Sequence, residues 1–256
     1  MQHLRWLAWL VFLSPVVASD PARDLTPEEL IQRSAERESE FRKVWEHYTY
    51  TQRILFQVLS WDGEPREQQE LVVEVYFTND GQRHTRVISQ RGGLLSIAVS
   101  PEDISDAVSL QPFVLTLEEL PKYQVKYRGK ERVDELDTYV FDVKPRRVDR
   151  RERRFKGRIW IDDADFQIVM TRGKIEPDLP NNKFPRFETL REQIDGRYWF
   201  PTWTEADDVL TFGDPGGRFR RVRVRQLITY GNYRKFEVDA SIRFEEPTPP
   251  PGDGKP

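Results

Sequence analysis

The sequence predicts a mainly β fold with some α: a strongly curved, unclosed antiparallel barrel of about ten strands, covered by an N-terminal helix and a short helical insert. Three observations carry this. From Tyr48 onward the apolar pattern has a period of two, rich in β-branched and aromatic residues and broken by turn residues. Several strands show one clean apolar face, so the sheet has a wet side and a covered side. Helix-start signatures stand before the first strand and again inside a long connection after the third.

The first element after a short linker (19–25) is a helix. In Thr26-Pro27-Glu28-Glu29 the hydroxyl can cap, proline takes the first helical position and Glu29 completes a capping box. Ile31, Ser34, Ala35, Phe41 and Trp45 share a stripe at helical spacing, and Arg33, Glu36, Arg37, Glu40 and Lys43 fill the rest. Mixed charge makes this a core-packing helix and not a membrane-surface one.

Strands are expected at Tyr48–Leu59, Glu67–Thr78, Gln82–Ser89, Tyr123–Val133, Thr138–Lys144, Phe155–Asp162, Gln167–Lys174, Arg186–Ile194, Tyr198–Asp207 and Phe219–Tyr230. Asn79-Asp80-Gly81, Asp162-Asp163-Ala164-Asp165 and Asp195-Gly196 supply tight turns. The insert holds Ser100-Pro101-Glu102-Asp103 and Thr116-Leu117-Glu118-Glu119, the second stopped by Pro121. Alternation puts Val73, Val75, Phe77, Val125, Tyr127, Phe141 and Ile159 on one face, the candidate apolar-ligand surface. An antiparallel sheet of this size curls and needs a cover. Periodicity leaves a second sheet and helices both open, and the helix starts point to helices.

The termini read differently. Residues 1–18 combine Arg5, an apolar run over Leu4–Leu13 and small residues at Val16-Val17-Ala18, the layout of a secretory signal peptide cut after Ala18. The run is shorter than the roughly 20 residues that span a bilayer, so no stable membrane insertion is expected after cleavage. The mature chain is expected to be exported and soluble. Pro247–Pro256 contains five prolines and is expected to be a disordered tail, leaving 26–246 as a single domain.

Composition narrows the chemistry. The 256 residues carry 40 Lys+Arg against 43 Asp+Glu, a net charge of −3, which argues against coating nucleic acid. With no cysteine and three histidines, thiol chemistry is excluded and most zinc or histidine-base chemistry is disfavoured. His84 lies in a polar strand and reads as a surface residue. No nucleophile elbow, phosphate loop or dinucleotide fingerprint occurs. The acidic run at 162–165 lacks the features of a calcium loop and reads as a hairpin turn. No enzyme, metal or cofactor is expected. Two basic stretches stand out: Lys144–Arg158, with nine cations and two acids, and Arg218–Arg225, with five arginines. In the second, Arg221, Arg223 and Arg225 alternate with valine on an outer face and are candidate contacts for anionic head groups; solvation and edge protection account for the same pattern.

Gly157-Arg158-Ile159-Trp160-Ile161-Asp162, Ile168-Val169, Tyr198-Trp199-Phe200-Pro201 and Tyr230-Gly231-Asn232-Tyr233-Arg234-Lys235-Phe236 resemble the outer-membrane lipoprotein-sorting proteins, the LolA-like periplasmic carriers and their RseB-type relatives. The resemblance is clearest over 120–236. It implies a periplasmic location and a half-barrel whose concave apolar face, lidded by helices, accepts acyl chains, with a lipid or lipidated protein as cargo and an envelope transport or regulatory protein as partner. The expected function is that of a non-enzymatic carrier or chaperone for lipoprotein sorting or envelope lipid transport, the alternative being an envelope lipid sensor. The amphipathic first helix and the 100–121 insert are the expected lid.

Overall fold

The computed structural model describes residues 25–78, 81–179, 182–184, 186–213 and 218–235. The expected signal peptide, most of the expected linker, the turn residues Asn79-Asp80, Phe236 and the proline-rich segment expected to be disordered lie outside the described residues.

Helix α1 (Pro27–Trp45) begins at the expected cap: Thr26 accepts from the Glu29 amide, and the Glu29 carboxylate accepts from the Thr26 amide at 2.8 Å. Its buried stripe contains the five predicted residues together with Leu30 and Glu38. Ten strands follow: β1 (Tyr48–Leu59), β2 (Pro65–Phe77), β3 (Arg83–Gly93), β4 (Tyr123–Val133), β5 (Leu136–Pro145), β6 (Arg154–Asp162), β7 (Ile168–Glu176), β8 (Arg186–Gln193), β9 (Trp199–Gly213) and β10 (Phe219–Lys235). Between β3 and β4 lie the five-residue helix α2 (Pro101–Ser105), a π-helical turn at Asp106–Leu110 and a 3₁₀ turn at Leu120–Lys122. The second insert signature therefore makes a turn and no α-helix, because Pro121 follows its cap too closely.

All strand pairs are antiparallel, in the order β3-β2-β1-β10-β9-β8-β7-β6-β5-β4, so the sheet opens between β3 and β4. The half-barrel is strongly curved. Val73 on β2 and Ile159 on β6 stand six strands apart, about 29 Å on a flat sheet at roughly 4.8 Å per strand, yet both belong to one continuous buried cluster. Part of the curvature is local. Gly157 and Gly173 pair directly across β6 and β7, and a Cβ at Gly157 would lie 2.2 Å from the Arg172 carbonyl and 2.7 Å from the Phe155 ring. Any other residue there would push the strands apart.

Three strands run well past their expected ends, β10 reaching Lys235 through its pairing with Tyr48 of β1. β3 continues to Gly93 although its last residues lack apolar alternation, because pairing with β2 extends to Gln68↔Gly93. β9 passes through Asp207-Asp208 to Gly213, and its carboxylates do not end it because Asp207 points outward to Arg223. The 162–165 segment is a hairpin turn in which the Asp162 carboxylate accepts the Ala164 and Asp165 amides. Burial and the neighbouring carboxylates push the Asp162 carboxyl up to about 6.

Candidate functional site

The concave face unites the residues singled out for it. Val73, Val75 and Phe77 occupy inward positions of β2, and Phe141 on β5 pairs with Ile159 on β6; all five are buried. Val125 and Tyr127, on edge strand β4, are half-buried, with the Tyr127 ring 5.1 Å from that of Phe141. They form one core with two covering elements. α1 contributes Phe41, edge-on to Phe200 at 5.2 Å, and Trp45, stacked 5.7 Å from Tyr50. The insert contributes Ala107, Val108, Val114 and Leu115, with Phe113 stacked 4.5 Å from Phe155.

How the insert is fastened was not foreseen. The sheet grips its backbone through side chains. Gln52 Nε2 and Arg83 Nη2 donate to the Val108 carbonyl at 3.3 and 2.6 Å, Thr189 Oγ1 donates to Gln111 O at 3.2 Å, and Arg191 donates to Phe113 O. Gln111 Nε2 reaches Gln226 Oε1 at 3.0 Å. Below these runs a hydroxyl chain, Tyr230 Oη to Thr204 Oγ1 at 2.9 Å and Thr204 to Thr189 at 2.8 Å. Outer anchors complete the attachment: Asp106 pairs with Arg153 and accepts from Asn182 at 2.7 Å, and Asp103 accepts the Lys183 amide at 2.7 Å. The expected apolar concave face is thus corrected by a polar row across β1, β10, β9 and β8. Its signal was present in the alternation, since Gln52 falls in register with Tyr50 and Ile54, and Gln226 with Val222 and Val224.

This attachment is incompletely satisfied. Gln52 Oε1, Gln111 Oε1 and Gln226 Nε2 are buried without a hydrogen-bond partner, each an unfavourable contribution of order 1 to 3 kcal/mol. The insert is therefore held less firmly than its apolar burial alone suggests. Arg83→Ala removes donors to Val108 O and to Ser109 Oγ from a side chain that is not itself core. We expect amide exchange over 106–113 to accelerate about tenfold, the equivalent of ~1.4 kcal/mol, while exchange in the central strands is unchanged. Uniform acceleration across the sheet would show that the insert opens only with the whole domain.

α1 is fixed by a buried ion pair. Arg191 Nη1 and Nη2 approach Glu38 Oε1 and Oε2 at 3.0 and 3.2 Å, with side chains 1% and 0% exposed. The Ile168 amide also donates to Glu38 at 3.1 Å, and the guanidinium lies 5.1 Å over the Phe41 ring. Burial pushes the Glu38 carboxyl upward and Arg191 opposes it.

The candidate head-group arginines separate. Val222 and Val224 are buried as expected, and the arginines face outward. Arg223 pairs with Asp207 at 3.0 Å and Arg225 donates to Gln57 Oε1 at 3.0 Å, whereas Arg221 is exposed and lies 5.5 Å over the Trp61 ring. In the 144–158 stretch, Arg153 and Arg154 pair with Asp106 and Glu119 against the insert, Lys156 with Glu176, and Arg158 with Asp142. A groove of about 610 Å³ between Lys126, Lys144, Lys156 and Arg172 lies on this outer face. His84 stacks 5.5 Å from Tyr76. Among the described residues no group of three His, Asp or Glu side chains gathers as a metal site, and no helix is long and apolar enough to cross a membrane.

The motif residues that carried the resemblance are structural. Gly157 permits the close strand approach, Phe200 packs on Phe41, and Tyr233 Oη donates to the Pro201 carbonyl at 2.6 Å. Asn232, at φ 54°, lies in a bulge of β10 and donates from Nδ2 to Thr51 Oγ1 at 3.0 Å.

The half-barrel has known likenesses. A protein of the DUF1329 family from Desulfovibrio piger superposes with a TM-score of 0.42 at 12% identity, covering 82% of this chain and 95% of that one. A putative outer membrane lipoprotein-sorting protein domain from Vibrio parahaemolyticus gives 0.39 at 11%, over 77% and 90% of the two chains. A LolA superfamily protein from Nitrosomonas europaea gives 0.37 at 10%, over 84% and 95%. No protein-family model matches the sequence, and no curated protein matches it.

Proposed function

We propose that this chain is a non-enzymatic periplasmic carrier or chaperone that holds acyl chains of lipids or lipidated proteins against its concave face. The observation that carries the reading is the nature of the cover. A large apolar surface is closed by an irregular segment that adds no strand to the sheet and is fastened through side chains to its carbonyls. Such a segment can leave without breaking the ladder that holds the fold. Once it leaves, Phe141, Ile159 and their neighbours need a new apolar partner, and an acyl chain contributes about 0.8 kcal/mol per buried methylene. The structure is then the closed, cargo-free state, with the insert standing where cargo goes.

A carrier of this kind performs no bond chemistry. Loading exchanges one apolar contact for another, and release follows when the insert returns to its carbonyl donors. Titration of the delipidated protein with a fluorescent fatty acid should give saturable one-to-one binding that unlabelled phospholipid or acylated peptide displaces. Absence of saturable binding, or binding that short-chain and long-chain probes share equally, would remove the acyl-carrier function.

A further inference from the structure

The three most exposed large apolar side chains among the described residues are Leu95, Phe219 and Trp61, at 95%, 76% and 63% exposure. Single exposed hydrophobes are ordinary, so their placement matters more than their number. They come from three separate segments: the β1–β2 turn, the loop after β3 and the start of β10. The register gathers all three at one end of the sheet, where Leu59 pairs with Arg223, Gln68 with Gly93 and Phe219 with Gly213.

Specific contacts tie the segments together. Arg221 places its guanidinium over Trp61, and Arg220 donates to the Ser96 carbonyl at 2.5 Å while lying 5.5 Å over Phe212. The Leu95 amide donates to the Glu67 carboxylate at 2.7 Å, holding the leucine outward on a fixed backbone. Neither arginine ends on a carboxylate oxygen in these contacts. Arg220 also lies within electrostatic reach of the Glu67 carboxylate, which hydrogen bonds from Ser96 and the charge of this arginine hold below the usual range, whereas Arg221 meets only the Trp61 ring in these contacts and keeps its positive charge beside the apolar tips. A groove for a peptide would be concave; here the apolar groups project from separate tips with the Arg221 guanidinium behind them. That arrangement matches a lipid interface, where aromatic and aliphatic groups enter the head-group layer and guanidinium groups meet phosphates.

We infer that this end docks the protein on an anionic membrane surface, with Trp61, Leu95 and Phe219 entering the interface and Arg221 meeting lipid phosphate. The surface is distinct from the concave face and does not depend on the acyl-carrier reading. Its place has a consequence for that reading all the same. The loop bearing Leu95 leads directly into the insert, with Leu94 and Val99 already packed against the core, so docking brings the cover's leading end to the bilayer.

The test is sedimentation of the protein with vesicles of phosphatidylglycerol and phosphatidylethanolamine, against vesicles of phosphatidylcholine alone, at low and high salt. Wild type should bind the anionic vesicles more strongly, and more so at low salt. Combined Trp61→Ser, Leu95→Ser and Phe219→Ser should weaken binding at least tenfold at both salt levels. Arg221→Gln should weaken it about fivefold at low salt only. All variants should keep the wild-type melting temperature and affinity for a soluble fatty-acid probe, which separates docking from cargo binding. Unchanged vesicle binding by the triple variant would overturn the inference. So would absence of binding to anionic vesicles, including the case in which the wild type instead self-associates and the triple variant does not.

Discussion

Arg191→Met should destabilise the fold by about 3 to 5 kcal/mol, because it leaves the Glu38 carboxyl in the core without its bidentate partner. The Ile168 amide alone cannot replace two guanidinium contacts. Converting the partner as well, in Glu38→Leu with Arg191→Met, should recover most of the loss, since a well-packed apolar pair avoids desolvating two charges. The single variant should also acquire a pH dependence of definite sign. Burial raises the folded-state pKa of Glu38, Asp165 adds to the rise, and Arg191 is the main opposing group. Without Arg191 the folded chain holds the Glu38 proton to higher pH than the unfolded chain, whose value is about 4.3. Stability is then fully present below that value and is lost as pH rises through the folded-state value. Urea unfolding at several pH values should show the deficit of the single variant shrinking toward acid. A deficit that is constant with pH would mean that Glu38 stays ionised in the variant.

Phe141→Ala should cost the cargo-free protein about 3 to 5 kcal/mol, a melting shift of roughly 10 °C. The ring is buried against Tyr127 and pairs with Ile159 in a continuous core. Taken alone this loss describes any core phenylalanine. The carrier reading adds a difference in the response to ligand. A fatty acid at one hundred times its dissociation constant should raise wild-type stability by about 2.7 kcal/mol. The same concentration should raise the variant by less, because the truncated side chain belongs to the surface the chain would occupy. Equal ligand stabilisation of both proteins would place the acyl chain elsewhere.

Much of the fold was legible because its signals are local. The Thr26 capping box, the alternation through Leu71, Val73, Val75 and Phe77, and the acidic turn at 162–165 each depend on neighbours within a few residues. Strand ends were less legible where pairing outlasted the pattern: β3 runs to Gly93 because β2 is there to receive it. The polar attachment of the insert was the hardest part. Gln52, Thr189 and Arg191 are ordinary polar residues in sequence, and their role depends on insert carbonyls 56, 78 and 78 residues away. Glu38 was hidden for a similar reason. A charge on a helix stripe reads as solvated until the strand carrying its counter-ion is placed beside it. The two basic stretches show the converse: they stand out in sequence, yet Arg153, Arg154, Lys156, Arg158 and Arg223 all meet carboxylates.

The central claim is that insert and cargo compete for one face. A cover that must leave before cargo enters lowers apparent affinity by the fraction of molecules that are open, so loosening its attachment should tighten binding. Titration of wild type and Arg83→Ala with the same long-chain fluorescent fatty acid tests this directly. The account predicts tighter binding by Arg83→Ala, up to about tenfold if exchange over 106–113 rises by that factor. Equal or weaker binding by Arg83→Ala, with that exchange accelerated, would contradict it, because an opened cover would then have exposed no site for the chain.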